Sequence, residues 1–499
     1  MNDSYPQVEL PTLSSTRSYW HRDPSETLMG HRTTTHIPGH ADVVVIGSGI
    51  TGTFAAQTLV ADGREVLMLE AREACWGATG RNGGHCQPAV WDSTPEVARF
   101  ELETYDFIQE LIKNHHIACD WNVVGGVHAI YSVDVLAAAR RQRDRLQGYP
   151  DLRDKAFLIE DPSKLAALHI PKAIAAVYQP KAAQFWPYKL VAHLLENLLQ
   201  EDPNIKFNLQ THTPVVSIER SQTEWIVNTD RGRVYAQHVL LATNAYSSHL
   251  LDSMTGLIVP VRGQVCALKP PLPDFQLPHS YVWMKSADAQ YVIHRGADDT
   301  QVQDGYDDDS ISEDRSLIFG GERLATEGGE EGISRDDQIN PIVSQNLRRG
   351  ILDAIKLHPE CSDAASPPPL HASHEWTGIM GYSRDSSPWV GEVPASMFRD
   401  RVADNNSMVR GVSGDEGFTN LWISAGYTGH GMLVAARCGI AVGEMIQRKL
   451  STVTLPEHWV VSEERGERAK KMKIPKTTGE FICTMPADET ESDNLSFYH

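Results

Sequence analysis

One stretch constrains the fold of this chain more than any other. From Ala41 to Glu70 the sequence alternates between an apolar run, a glycine-rich turn, a helical pattern and a second apolar run: DVVVIG, then TFAAQTLVADG, then EVLMLE. Continuous apolar runs of this length are typical of parallel strands that are buried on both faces. The stretch therefore predicts a strand–helix–strand unit within an open, doubly wound α/β domain.

The turn after the first predicted strand has the spacing G-x-G-x-x-G, formed by Gly47, Gly49 and Gly52. In this context the first glycine permits the turn, the second lets a pyrophosphate approach the backbone, and the third allows close packing of helix and strand. The helix N-terminus offers free N–H groups to a phosphate. Glu70 follows the second strand, where it can accept both ribose hydroxyls and would repel a 2′-phosphate. NADP is therefore disfavoured, while NAD, FAD and a merely structural turn stay open.

The length and the net charge of the chain favour a multidomain protein that does not bind nucleic acid. A chain of 499 residues predicts two or three domains and a large core. Its 45 basic and 65 acidic side chains give a net charge of −20, which argues against binding to nucleic acid. The acidic surplus suits a cationic substrate, although it equally serves solubility.

The cysteines and the absence of long apolar runs bear on location. Seven cysteines are widely spread without a Cys-x-x-Cys pair, which indicates reduced thiols and predicts neither disulfides nor a zinc site. No apolar run is long enough for a membrane span, and the N-terminus MNDSYPQVELP lacks the features of a secretory signal. We therefore predict a cytoplasmic protein with no metal site and no membrane association.

The rest of the chain gives a coarse order of elements. Residues 1–40 lack a sustained period and indicate an irregular arm anchored by Trp20. Helical patterns occupy 96–112, 133–147, 188–200 and part of 342–359, and the acidic segment 298–314 indicates a solvated loop rather than a metal site. Alternating runs between about 260 and 375 predict antiparallel strands, and the last third closes with a strand, a glycine turn and a long helix.

The segment behind the second strand separates FAD from NAD. AREACWGATGRNGGHCQP places Arg72 and four glycines, Gly77, Gly80, Gly83 and Gly84, where a long ligand needs close backbone approach. With this segment the chain resembles the FAD-dependent D-amino-acid oxidase superfamily, also called the glycine oxidase and sarcosine oxidase group. Within it, the chain is most similar to γ-glutamylputrescine oxidoreductases and their fungal relatives. The likeness spans roughly Ala41 to Lys449 in four blocks.

The resemblance implies a fold and its domains. The expected fold class is α/β, with a Rossmann-like FAD-binding domain that is discontinuous in sequence and an antiparallel-sheet α+β substrate domain. The predicted ranges are an N-terminal arm over 1–40, an FAD-binding domain over 41–120, 188–258 and 376–450, a substrate-binding domain over 121–187 and 259–375, and a polar, mobile C-terminal tail over 451–499.

The resemblance also implies where FAD binds. GATGRNGGH resembles the segment that lines flavin and pyrophosphate, VVSIER the strand that meets the adenine, VLLATNAYS the strand returning beside the cofactor, and WISAGYTGHGM the final flavin-binding turn. A helix beginning at Gly429 to Met432 would direct N–H groups at the charge that reduction places around flavin N1. The implied cofactor positions are Gly47, Gly49, Ile50, Thr51, Gly52, Glu70, Ala71, Arg72, Gly77, Ala78, Thr79, Arg81, Asn82, Gly83, Gly84, His85, Val215, Val216, Thr243, Asn244, Gly426, Thr428, Gly429, His430, Gly431 and Met432.

A covalent flavin link is not expected. Several members of the superfamily attach FAD through a cysteine in the block that corresponds to TGIMGYS, and Met380 or a neighbour occupies that place here. His85 and Cys86 lie in the other region where such links occur, but packing or hydrogen bonding is the expected role of both. We therefore predict non-covalent FAD.

The implied reaction oxidises a C–N bond of an amine or amino acid. A hydride passes from the carbon beside a neutral amine to flavin N5, the imine hydrolyses, and O₂ is the expected acceptor, giving H₂O₂. No acid–base pair can be derived, and the catalytic residues are left unassigned. The candidate substrate or oxygen contacts are Arg262, Lys285, His294, Tyr382, Arg384 and Tyr427.

Each candidate contact has a structural alternative. An arginine, Arg262 or Arg384, could pair with a substrate carboxylate, or could form an ion pair within the protein. Lys285 or His294 could stabilise charge on reacting oxygen, and Tyr382, Tyr427 or Trp376 could wall the pocket, but exposure or packing explains each equally well.

Other functions stay open beside this one. They are an FAD-dependent dehydrogenase or a specialised-metabolism oxidase acting on a substrate other than an amino acid, an NAD-dependent dehydrogenase, and a non-catalytic flavin-binding scaffold. The sequence specifies neither the substrate nor the oligomeric state.

Overall fold

A computed structural model describes most of the chain. The described residues are 5–200, 206–221, 223–271, 275–284, 289–296, 315–354, 369–398 and 419–474. The predicted acidic loop at 298–314, Lys285 and the end of the predicted helix at 342–359 lie outside these ranges. Within them, no helix combines the length and apolar character needed to cross a membrane.

The helices and strands alternate through the first half of the chain, and strands dominate the second. The helices are α1 (Ile50–Ala61), α2 (Pro95–Asn114), α3 (Val133–Leu146), α4 (Pro162–Ala167), α5 (Pro187–Gln200), α6 (Ser247–Leu250), α7 (Pro341–Ala354), α8 (Ala435–Ile446) and α9 (Glu463–Ala469). The strands are β1 (His40–Ile46), β2 (Val66–Leu69), β3 (His85–Cys86), β4 (Asn122–Val123), β5 (Gly126–Ile130), β6 (Phe157–Ile159), β7 (Ala175–Gln179), β8 (Ala183–Gln184), β9 (Phe207–Gln210), β10 (Val215–Arg220), β11 (Trp225–Thr229), β12 (Gly232–Leu241), β13 (Ile258–Leu268), β14 (Ser280–Met284), β15 (Ala289–His294), β16 (Leu317–Gly320), β17 (Ala372–Ser383), β18 (Trp389–Glu392) and β19 (Leu421–Ala425).

The first sheet is built around parallel strands. Its order is β10-β11-β12-β1-β2-β9, with β19 added beside the second half of β12 and β18 beside β19. The pairs β12–β1, β1–β2, β2–β9 and β12–β19 are parallel. Helices α1, α5 and α8 pack together against these strands, so the apolar runs of β1 and β2 are fully buried. The predicted strand–helix–strand unit and doubly wound sheet are confirmed.

The second sheet is largely antiparallel, as expected for the substrate domain. Its order is β17-β13-β16-β15-β14-β5-β7-β6. One pair departs from the pattern, because β14 runs parallel to β5. Helix α7 packs on β13 and β16, and the core between them includes the buried Val343, Leu347 and Ile351.

One predicted boundary between the two parts falls inside a strand. The division at residue 376 would cut β17, which pairs along its whole length with β13 in the second sheet. The chain returns to the first sheet only after Ser383, through β18. The alternation of apolar and polar residues predicts a strand but does not show which of the two sheets the strand joins.

Both terminal segments pack on the body. In the irregular arm Trp20 is fully buried, and its Nε1–H donates to the Asn82 carbonyl at 2.6 Å. The tail predicted from residue 451 is wrong for its described part, because Trp459 and Arg465 are both about 2% exposed and Val461 donates to the Val390 carbonyl. Two buried anchors outweigh the polar composition of this segment.

Candidate cofactor and substrate cavity

The turn between β1 and α1 leaves no room for side chains at its glycines. Gly47 has a φ of +108°, and a Cβ atom there would lie 2.6 Å from the Ala242 carbonyl oxygen. A Cβ at Gly52 would lie 2.0 Å from the Gly47 carbonyl oxygen, so α1 can start against β1 only without a side chain at this position. The turn thus presents bare backbone at the carboxyl end of β1, which is where phosphates bind in such folds.

A cavity of about 1200 Å³ begins at this turn and reaches the second sheet. Single-ligand pockets usually measure roughly 300–1,000 Å³, so this one has room for a dinucleotide together with a small substrate. The predicted cofactor residues that line it are Gly47, Gly49, Ile50, Thr51, Glu70, Ala71, Arg72, Gly77, Ala78, Thr79, Arg81, Asn82, Gly83, His85, Val215, Thr243, Asn244, Thr428, Gly429, His430, Gly431 and Met432.

Four predicted cofactor positions are not among the lining residues: Gly52, Gly84, Val216 and Gly426. Gly52 acts through helix–strand packing, and a Cβ at Gly84 would meet the Trp20 ring at 2.5 Å. Val216 is 40% exposed on the other side of β10 from Val215, which does line the cavity. Alternation along a strand explains that difference.

Glu70 stands directly after β2 and is held by local donors. Its Oε2 accepts from the Ser48 N–H at 3.1 Å and from the Ser48 hydroxyl at 2.7 Å, while Oε1 accepts from the Arg72 N–H at 3.0 Å. These bonds fix the carboxylate at the cavity wall, and its remaining lone pairs can accept ribose hydroxyls.

The side chains of Arg72 and Arg81 are used within the protein. Arg72 forms a bidentate pair with Asp336 at 2.9 and 3.0 Å, and both side chains are buried. Arg81 Nε donates to the Thr377 carbonyl at 2.7 Å and lies 3.4 Å from the same aspartate. Burial and the neighbouring Arg72 lower the pKa of Arg81 to about 10. Both guanidinium groups therefore already have protein partners.

The final glycine turn differs from its prediction in one respect. The helix expected to begin at Gly429 to Met432 begins at Ala435, preceded by a single 3₁₀ turn over Gly431–Leu433. Thr428 and Gly429 have φ values of +49° and +82°, which an α-helix does not tolerate. The turn is tied to β17, since Thr428 donates to the Gly381 carbonyl at 2.8 Å.

Two of the predicted arginine contacts are occupied. Arg262 is buried, pairs with Glu330 at 2.5 Å and is not among the lining residues, which matches the alternative of an internal ion pair. Arg384 lines the cavity, but its guanidinium donates to the carbonyls of Gly256 and Met472 at 2.7 and 2.9 Å.

The remaining candidates divide between the core and the cavity. Burial lowers the pKa of His294 to about 4, its Nδ1 accepts from the Leu277 N–H, and it is not a lining residue. Trp376 is buried and donates to the Arg81 carbonyl. Tyr382 and Met380 line the cavity, as does Tyr427, whose hydroxyl bonds to Thr51 and Ser424 at 2.9 Å each.

The sequence interpretation missed part of the cavity wall. Gln87, Asp92 and Glu101 line the cavity beside the predicted His430, and we call these four residues the acidic wall. Glu101 Oε2 accepts from the Ala89 N–H at 2.7 Å and lies 3.6 Å from His430 Nε2. One signal was readable: Glu101 falls on the buried stripe of α2, in step with Ala98, Tyr105 and Ile108.

Burial governs the protonation of this region. It raises the pKa of Glu101 to about 8 and that of Asp92 to about 6, where the nearby Glu101 adds to the effect and His430 opposes it. It lowers the pKa of His85 to about 4 and of His128 to about 3. Trp91 Nε1–H donates to His128 Nδ1 at 2.9 Å, so the neutral His128 ring carries its proton on Nε2.

The cavity fits FAD by these observations. Bare backbone at Gly47 opens the β1–α1 turn, Glu70 is placed for a ribose, and the segments around His85 and His430 border the same space. Backbone at the β1–α1 turn, Glu70, and the segments 77–83 and 428–432 would hold the cofactor. When bound, FAD supplies a two-electron acceptor to whatever occupies the rest of the cavity.

Comparison with known proteins agrees with this assignment. The chain matches the DAO family model, described as FAD dependent oxidoreductase, over residues 42–445. It is 23% identical over 430 residues to a probable oxidoreductase, OrdL, of Haemophilus influenzae, covering 82% of this chain and 83% of that protein. It is 22% identical over 425 residues to the gamma-glutamylputrescine oxidoreductase of Escherichia coli, with coverages of 81% and 83%.

A solved structure shares the fold. Glycine oxidase from Geobacillus kaustophilus superposes with a TM-score of 0.64 at 16% identity, covering 85% of this chain and 99% of that one. The match with the family model extends over most of the chain and includes both sheets as well as the glycine turns that border the cavity. The chain is therefore a member of the DAO family of FAD-dependent oxidoreductases, with FAD as its cofactor.

Proposed function

We propose that this protein oxidises a C–N bond of a small amine or amino acid, with O₂ as the electron acceptor. The substrate loses a hydride from the carbon beside nitrogen and a proton from nitrogen, and becomes an imine. Water then hydrolyses the imine to a carbonyl compound and ammonia or a smaller amine. The two electrons and two protons reduce O₂ to H₂O₂, so the reaction is balanced. The names of the Escherichia coli relative and of the glycine oxidase neighbour support this substrate class.

The observation that carries the proposal is the continuity of the cavity. The same space that begins at the β1–α1 turn is bordered by Val265 of β13, Met284 of β14 and Ile379 of β17. A substrate there would be enclosed between the cofactor segments and the second sheet. Binding two reactants in one enclosed space supplies the proximity that hydride transfer requires.

The apolar walls have a definite chemical role in this proposal. An ammonium is disfavoured against the side chains of Val265, Met284 and Ile379, because burial without a charge partner favours the neutral amine. Only the neutral amine has the nitrogen lone pair that stabilises the positive charge left by the departing hydride. The walls also exclude water, which would otherwise compete for the reacting centre.

Anaerobic reduction tests the proposal directly. The purified yellow holoprotein is mixed without oxygen with a panel of primary amines, N-methyl amino acids and D-amino acids, and the flavin absorbance is followed. We expect at least one amine to bleach the flavin, and readmitted air to restore the colour with one H₂O₂ per imine formed. If no amine bleaches the flavin, the proposal is overturned. If the colour returns only with an artificial dye as electron acceptor and not with air, the protein is a dehydrogenase and not an oxidase.

The nature of the FAD attachment follows from the same cavity. Met380 lines it at the place where several superfamily members carry a linking cysteine, and a methionine thioether offers no such bond. We propose that the FAD is held non-covalently. Acid precipitation is expected to leave the yellow colour in the supernatant, whereas a yellow pellet would contradict this.

A further inference from the structure

The acidic wall differs from the other buried carboxylates of the molecule. Buried Asp336 and Glu330 and half-buried Asp385 are each bonded to an arginine (Arg72, Arg262 and Arg465), and buried Glu444 accepts hydrogen bonds from Ser451 and Thr452. Asp92 and Glu101 are 8% and 3% exposed, yet no arginine or lysine within the described ranges forms an ion pair with either. A buried carboxylate without a cation tends to keep a proton, and a cationic ligand from outside the chain would take the place of that proton.

An unpartnered acceptor atom at the same wall indicates the chemistry of a ligand there. Asp92 Oδ1 is buried without any hydrogen-bond partner, and Asp92 lines the cavity. The Gln87 amide on the same wall is already in contact with His128 Nε2. Buried acceptors of this kind are normally satisfied, and what they lack is a donor.

The nearby histidines do not supply the missing charge. His430 lies 3.6 Å from Glu101, and its side chain is 48% exposed towards the cavity; the protein atoms around the ring lower its pKa, with only Asp92 acting in the other direction. Burial likewise keeps His85 and His128 neutral at pH 7. The wall thus combines two carboxyl groups with uncharged rings, which suits an ammonium group that carries several N–H donors.

We propose that Asp92 and Glu101 bind a second, non-reacting ammonium group of the substrate, so that the preferred substrates are diamines rather than monoamines or simple amino acids. This inference rests on the proposed function, because it concerns the same cavity. The reacting nitrogen lies neutral against the apolar walls, while the distant nitrogen keeps its charge at the acidic wall. A substrate carboxylate placed at that wall would be repelled by Asp92 and would find no cationic partner there.

Equilibrium binding of unreactive probes tests the inference apart from turnover. The first probe is a diamine in which each nitrogen-bearing carbon carries three carbon substituents, so that neither has a hydride to lose. The second is the matching monoamine, with one amino group replaced by methyl. We expect the holoprotein to bind the diamine at least ~10-fold more tightly by calorimetry, the range expected for hydrogen bonds to charged groups.

Variants then assign the preference to the wall. In Asp92→Asn and Glu101→Gln the diamine is expected to lose that advantage, while affinity for the monoamine probe stays close to wild type. Glu110→Gln serves as the matched control, because Glu110 is exposed on the same helix and does not line the cavity. It makes the same change of side chain and should keep the diamine preference. An equal loss in this control would mean that overall charge, not the wall, sets the preference.

The outcomes separate this inference from the proposed function. Monoamines that bleach the flavin, together with equal affinity for the two probes, would overturn the diamine assignment and leave the oxidation intact. Failure of every amine to bleach would overturn the proposed function, and probe binding would then report only a cation site. If Glu101→Gln does not retain FAD, the wild-type comparison and Asp92→Asn still decide the question.

Discussion

Two parts of one cavity satisfy their polar groups in opposite ways. Around the β1–α1 turn, Glu70 is bonded to Ser48, and Arg72 is paired with Asp336, so the protein completes its own network before any ligand binds. At the acidic wall, Asp92 keeps a buried carboxylate oxygen without a partner. The cofactor region is thus preorganised backbone, whereas the acidic wall is completed only by what enters it.

This difference predicts what a substitution will affect in each region. In the cofactor region a change acts on the scaffold, because atoms there touch other protein atoms at close range. At the acidic wall a change acts on the ligand and on the charge state of the wall, because protein partners are few. Four substitutions, ordered from the largest expected effect to the smallest, test this contrast.

Gly52→Ala is expected to have the largest effect. The new methyl group would lie 2.0 Å from the Gly47 carbonyl oxygen and would force α1 away from β1. We expect a loss of more than about 3 kcal/mol in the free energy of unfolding, above the usual range for overpacking, together with loss of FAD. Urea unfolding and the ratio of flavin to protein absorbance measure both. Gly39→Ala is the control, because no atom lies within 4 Å of a Cβ there; equal effects of the two changes would contradict the packing role.

Asp336→Asn is expected to cost about 3–5 kcal/mol in the free energy of unfolding. The change leaves the buried guanidinium of Arg72, and its neighbour Arg81, without their shared carboxylate. Asp337 offers an adjacent control, since its partner Arg335 is more than half exposed. Asp337→Asn should leave the unfolding midpoint within error. A similar small shift for Asp336→Asn would show that the cofactor region does not depend on this pair.

Glu101→Gln is expected to change how stability depends on pH. Burial raises the pKa of Glu101 from 4.5 to about 8, so the folded state holds a proton that the unfolded state releases. Wild-type stability should therefore fall as pH rises from about 5 to 8, by at most about 1.4 kcal/mol per pH unit. The glutamine variant should lose much of this slope, leaving the share of Asp92, and become the more stable protein near pH 8.

Thermal unfolding across pH 5 to 9 measures that slope, with Glu110→Gln as the control expected to follow the wild type. Parallel curves for the wild type and Glu101→Gln would show that Glu101 ionises normally. The polar groups of the acidic wall would then be satisfied within the protein, like those of the cofactor region.

Tyr427→Phe is expected to have the smallest effect. Its buried hydroxyl bonds to Thr51 and Ser424, so its removal should cost about 1 kcal/mol and leave KM for the amine within error. Tyr105→Phe is the control, because the Tyr105 hydroxyl is buried without a partner and its removal should not destabilise. A tenfold rise in KM for Tyr427→Phe would instead make this tyrosine a substrate contact.

The same contrast explains which parts of the site could be predicted from the sequence. The β1–α1 turn was predictable because consecutive residues make it and each glycine answers a backbone requirement. The acidic wall was not, because its members come from the segment after β3, from α2 and from the turn before α8, which only tertiary packing brings together. Glu101 on the buried stripe of α2 was the one local sign of it.

Local rules also failed where tertiary contacts override them. The glycine turn after β19 suggested an immediate helix, but bonding of Thr428 to β17 holds it in a left-handed conformation for two residues. The segment from residue 451 looked like a free tail by composition, although Trp459 packs on Phe100 of α2. The side-chain partners of Arg72 and Arg262 lie more than sixty residues away along the chain, beyond any local pattern.

The arm before β1 contacts the predicted cofactor segment and so affects where an expressed protein should begin. The region matched to the family begins at residue 42, yet Ser15 and Thr16 supply acceptors to the Arg81 guanidinium, and Trp20 closes over Gly84. A protein that began at residue 42 would expose the segment around Gly84, and the Arg81 guanidinium would lose two of its acceptors. The matched region is thus held in part by the arm that precedes it, and the protein should be expressed with that arm attached.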